Sequence, residues 1–116
     1  MASTFRNILK SEIGTSGATP VLTTGGTAKT TVIGLSLTNL TGGIVLASIL
    51  ITDPNGGGVG VSASAYYLKD VVVPPNQSLR VINGGEKLIL GSSTSVTITS
   101  NVEDSLDLVM SFVELT

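Results

Sequence analysis

Short β-prone runs alternate with clusters of Gly, Pro, Asn and Ser about every ten residues along this chain, a spacing that points to a sandwich or barrel of short strands. The punctuation falls at Thr24-Gly25-Gly26-Thr27, Thr41-Gly42-Gly43, Pro54-Asn55-Gly56-Gly57-Gly58, Pro74-Pro75-Asn76 and Asn83-Gly84-Gly85. Between these breaks the apolar residues recur with a period of two, so successive side chains serve opposite faces of a sheet. Thr30–Leu40 puts Ile33, Leu35 and Leu37 on one face and Val32, Gly34, Ser36 and Thr38 on the other. Leu106, Leu108, Met110 and Phe112 share a face of the last strand, opposite Asp107, Val109, Ser111 and Val113. Ile44–Ile51 is apolar on both faces apart from Ser48, as expected of a strand central in the core or covered by a neighbouring subunit.

Further strands are expected at Thr19–Thr23, Val59–Ala65, Tyr66–Val73 and Ser95–Ser100. Ser78–Ile82 and Glu86–Leu90 flank Asn83-Gly84-Gly85, which predicts a tight hairpin, since Asn and Gly tolerate positive φ. Phe5–Ile13 has mixed periodicity and reads as a first strand or an N-terminal arm. The expected fold is all-β: a single antiparallel β-sandwich domain of about eight strands, jelly-roll or immunoglobulin-like. Residues 1–14 form the N-terminal strand or arm and residues 15–116 the sandwich.

A length of 116 residues suits one core that buries roughly two thirds of the unfolded surface. Hydrophobic residues make up 41% and charged ones only 12%, against roughly 25% charged in an ordinary soluble domain. Solubility then rests on Ser, Thr and Asn, on apolar surface hidden against other copies or partners, or on both. Six basic residues scattered from Arg6 to Lys87 and a net charge of -2 argue against direct nucleic-acid binding, which needs clustered cations. Without cysteine or histidine, thiolate chemistry, disulfides and the commonest general base are unavailable. The N-terminus lacks the apolar stretch of a signal peptide and no run reaches a bilayer-spanning length, so synthesis in a cytoplasm and no membrane partner are expected.

Several stretches invite a chemical reading. Counting from Asp53, a calcium loop would need a glutamate where Ser64 stands, whereas Asp53-Pro54-Asn55-Gly56 suits a reverse turn between Ile51 and Val59. Thr24-Gly-Gly-Thr-Ala-Lys-Thr30 has Ala28 where a phosphate loop needs glycine. Lys69 and Asp70, adjacent on a strand, are expected to face opposite sides. Glu103, Asp104 and Asp107 form the acidic cluster, expected to be solvated rather than metal-binding. No catalytic residue, cofactor or metal is therefore expected. Asn39-Leu-Thr41 and Asn76-Gln-Ser78 fit glycosylation triplets, but without a secretory signal they carry no weight.

Thr31–Asn39, Val71–Gly91, Ser95–Ser100 and Leu106–Leu115 together resemble small β-sandwich virion structural proteins of tailed bacteriophages, over most of residues 30–115. The resemblance implies a non-enzymatic particle component present in many copies, first of all a capsid decoration or cement protein stabilising the head. A neck, tail or fibre-attachment component is the alternative within that class. A carbohydrate-binding sandwich using Tyr66 and Tyr67 is the alternative outside it. The loop from Asp53 to Gly60 is longer than the resemblance suggests. Implied partners are other copies, expected as a homotrimer because a closed ring leaves no apolar patch free, and a major virion protein such as the capsid protein. Phe5, Arg6, Ile8, Leu9 and Lys10 are the expected assembly contacts, placed to lie across a neighbouring subunit. Deleting residues 2–12 is expected to weaken incorporation into particles more than the isolated fold.

Overall fold

The computed structural model describes residues 3–15, 20–55, 62–83 and 87–115. Among them there is no helix, and nine strands form: β1 (Ser3–Ile13), β2 (Leu22–Thr23), β3 (Lys29–Asn39), β4 (Val45–Asp53), β5 (Ala63–Val73), β6 (Ser78–Ile82), β7 (Leu88–Leu90), β8 (Ser95–Ser100) and β9 (Leu106–Leu115). One antiparallel sheet has the order β1-β9-β3-β6, with β7 also on β3, and the other has the order β2-β8-β4-β5. Their inward faces meet in one core of Val32, Leu35, Leu37, Leu106, Leu108 and Met110 from the first sheet and Val45, Ala47, Ile49, Val73, Val96 and Ile98 from the second. Each large side chain fully buried there contributes about 1.5–3 kcal/mol of transfer free energy. The fold is the expected all-β sandwich.

Gly84 and Gly85, the turn of the expected hairpin, lie outside the described residues, and the two segments that flank it pair with β3 rather than with each other. Leu35, Ser36, Leu37 and Thr38 pair with Ile82, Arg80, Leu79 and Ser78, and Thr30, Thr31 and Val32 then pair with Leu90, Ile89 and Leu88. Both segments therefore run antiparallel to β3 in the same direction, as one interrupted edge strand. β3 presents a long ladder, and satisfying it along its length wins over a local turn that would leave half of it bare. With β6 and β7 counted together there are eight strands, and every connection except β4–β5 crosses between the sheets. That order is a jelly roll rather than the immunoglobulin arrangement.

Bulges correct the simple alternation elsewhere. The β3–β9 register shifts between Val32 and Gly34, so Val32, fully buried, joins Leu35 and Leu37 in the core while Ile33 is displaced to a half-buried position. The two segments expected at Val59–Ala65 and Tyr66–Val73 are, within the described residues, the single strand β5. Residues 56–61, the centre of the expected loop, lie outside the described residues, as does Thr19. β5 stops before Pro74-Pro75, and Asn76 takes the positive φ of 54° that the turn requires. β4 is the central member of its sheet, between β8 and β5. β1 is no free arm: from Ser3 to Lys10 it pairs residue by residue with β9, and Ile8 packs against the core.

Candidate functional site

Chemistry is best sought first where polar groups gather, and among the described residues Asp53, Thr24 and Asn39 each hold a turn or corner. Asp53 Oδ1 accepts a hydrogen bond from Asn55 N at 2.8 Å, the side-chain turn that Asp-Pro-Asn favours. The Thr24 hydroxyl, buried, donates to Gly91 O at 2.7 Å and accepts from Thr94 N at 2.8 Å, which ties the glycine loop to the turn before β8. Asn39 is sealed inside: Nδ2 donates to Gly43 O and Val73 O, and Oδ1 accepts from the N–H and the hydroxyl of Thr41. Its glycosylation triplet is thus consumed by a corner in which the amide is fully paired.

The acidic cluster divides between two structural tasks. Glu103 accepts from the hydroxyl and the N–H of Thr15, and these bonds, the hydroxyl first, hold its carboxyl below the usual glutamate range against a small opposing effect of burial. Asp107 Oδ1 accepts from Glu12 N at 3.1 Å, at the point where β1 bulges and Glu12 adopts φ 55°. Among the described residues no three His, Cys, Asp or Glu side chains converge as a metal site would require. Lys69 and Asp70 depart from expectation: Lys69 Nζ lies 4.0 Å from Asp70 Oδ2. The cause is a bulge, with Asp70 at φ 50° and its N–H donating to Ser48 Oγ at 3.0 Å, which cancels the alternation that would separate the pair. The same ammonium stands 4.6 Å from the centre of the Tyr66 ring.

Another candidate is a surface. On the outward face of the β1-β9-β3 sheet, Phe5, Val113, Thr31 and Ile89 stand in one cross-strand row, and Leu9, Val109, Ser36 and Arg80 in another. Asn7, Ser111 and Gly34 lie between the rows, and their small or polar side chains leave a shallow depression bordered by Phe5 and Ile33. Phe5, Leu9 and Ile89 are 76%, 71% and 76% exposed, far more than apolar side chains of this size usually are.

Of the five expected contacts, Phe5 and Leu9 belong to this face. The other three point to the opposite side of β1, where Arg6 Nε lies 3.4 Å from Glu114 Oε1, Ile8 meets the core and Lys10 is exposed. The two-residue period separates the two sets, and the helical spacing of Phe5, Ile8 and Leu9 concealed it. Ile89 is not legible in the sequence, because its facing follows from pairing with β3. Comparison with protein-family models, curated proteins and solved structures finds no match to this chain.

Proposed function

We propose that the chain is a non-enzymatic structural protein of a bacteriophage virion, a capsid decoration or cement protein that is made in the host cytoplasm and ends in the particle. The observation that carries the reading is the outward face on which Phe5, Leu9, Val109 and Ile89 stand exposed among small and polar residues. Such residues in ordered rows on a rigid sheet suit a permanent partner surface better than free solution. The likeness of Thr31–Asn39 and Val71–Gly91 to virion sandwich proteins supports the same reading, and so does a jelly-roll strand order, an architecture that recurs in viral capsid domains. The face meets the major capsid protein, and polar side chains such as Thr24, Asn39 and Glu103 serve the fold.

The test is cryo-EM of the particle encoded with this chain, together with its copy number. Density over the capsid lattice in many copies supports head decoration, a few copies at the neck or tail move the protein there, and absence from the particle overturns the reading. A second reading has one specific observation behind it, a cleft of about 290 Å³ between β5 and β7 lined by Tyr66, Tyr67, Asp53, Leu90 and Thr94. Tyrosine rings beside a carboxylate and a hydroxyl suit a sugar. A glycan-array signal lost in Tyr66→Ala would favour it.

A further inference from the structure

We propose that two copies of this chain join edge to edge through β1, antiparallel, with the two-fold axis at Asn7. The inference rests on the reading above only in taking this chain to be a component built from repeated copies. Three of the sandwich's four lateral edges are unsuited to strand addition. β2 has two residues, β6 and β7 are interrupted, and β5 carries register shifts and the left-handed Asp70. β1 alone among the described edges offers a long regular run, Ser3–Lys10, ending at the bulge before Ile13. Its free side presents unpaired backbone donors and acceptors, the template for another strand.

Overlap and charge together select the register, since an axis at Phe5 or Leu9 would pair fewer residues of the Ser3–Lys10 run. Continuing the sheet across a two-fold axis makes each residue face one of the same side-chain parity in the partner. An axis at Arg6 would set Arg6 against itself, and an axis at Ile8 would set Arg6 against Lys10, both repulsive. The axis at Asn7 avoids both: Phe5 faces the partner's Leu9, Arg6 faces the partner's Ile8, and Thr4 faces the partner's Lys10. On the outward face, Val113 and Phe5 then run on into the partner's Leu9 and Val109 as one apolar row, repeated on the other side of the axis. The two most exposed apolar residues of β1 cover one another. Asn7 faces its own copy, which either hydrogen-bonding phase of an antiparallel edge permits. The unit of assembly is thus a two-fold pair in place of the ring of three expected from the sequence.

The experiment uses the full chain, which contains no cysteine, so introduced thiols report unambiguously. Sedimentation at micromolar concentration is expected to give twice 11.8 kDa. Asn7→Cys is expected to form a covalent dimer on mild oxidation, because directly opposed residues lie about 5 Å apart between Cα atoms, within disulfide reach. Leu9→Cys alone is not, since the two copies of residue 9 are separated by four residues, about 13 Å. Leu9→Lys should yield a folded monomer, while Ile89→Lys, equally exposed on the far edge of the same face, should stay dimeric. A monomer, a trimer, or a dimer that links through Leu9→Cys but not Asn7→Cys overturns the proposal. None of these outcomes bears on whether the protein appears on the capsid, so the two readings fail separately.

Discussion

Thr30 stands near the start of β3, 1% exposed, and its hydroxyl has no hydrogen-bond partner among the described residues. An unpaired buried hydroxyl costs about 1–3 kcal/mol, and valine has the same shape with a methyl in its place. Thr30→Val is therefore expected to stabilise the protein by about 1–2 kcal/mol, read as a raised denaturant midpoint at unchanged slope. Glu103 gives a residue-scale effect of the opposite kind. Its carboxyl is held below the usual range by Thr15, so the stabilisation is present above the unfolded-state value, about 4.3, and is lost as pH falls through the lower folded value. The thermal midpoint of the native protein should exceed that of Glu103→Gln near neutrality, and the gap should close in acid. Gly14→Ala should behave like Glu103→Gln, because a Cβ at Gly14 would come within 2.6 Å of Glu103 Oε2 and displace the carboxylate from Thr15.

At the scale of elements, alternation made β8 and β9 legible almost residue for residue, because their inward sets Val96 and Ile98, and Leu106 to Phe112, keep an unbroken period of two. The same rule misplaced Ile33, since one extra residue in β3 opposite β9 shifts every side chain before it. Nothing local marks that bulge; it comes from how the partner strand is paired. The pairing of β6 and β7 is hidden from the sequence for a related reason, because whether the segments on either side of Asn83 pair with each other or with β3 is decided by β3. For the candidate surface, Phe5 and Leu9 were legible as an apolar pair near the N-terminus, but their face was not, because facing follows from strand pairing. The register of β3 can be checked by paired substitutions. Val32→Ala, which opens a void at a fully buried site, should cost about 1–3 kcal/mol, whereas Ile33→Ala should cost about 1 kcal/mol or less despite removing more atoms. Chemical unfolding of the two variants side by side is the measurement, and the reverse order would place Ile33 in the core.

Across the whole molecule the two ends of the chain are built together. Ser3 pairs with Leu115 and Ile13 with Leu106, so the first sheet is completed only when the last strand and the first meet. Because β1 is woven into the sheet, deleting residues 2–12 acts on the fold as well as on any contact between copies. It removes the packing of Ile8, strips β9 of one of its two ladders, and leaves β9 as a long edge with the exposed Val109 beside it. With each lost backbone pair worth about 0.5–1.5 kcal/mol and the half-buried Ile8 adding about 1 kcal/mol, the truncated chain should be destabilised by about 3 kcal/mol or more. It should also scatter light on standing, as bare edges recruit one another. The double variant Phe5→Ser/Leu9→Ser provides the contrast, since it keeps every backbone bond of β1 and alters only outward side chains. Compared at a dilution where both proteins are monomeric, its stability should stay within about 0.5 kcal/mol of the native protein, the range usual for exposed positions, while at higher concentration its association with other copies falls away. If the truncation left stability unchanged, β1 would be an accessory strip laid on a self-sufficient sandwich. If the double variant lost as much stability as the truncation, Phe5 and Leu9 would belong to the core of the monomer rather than to its outer face.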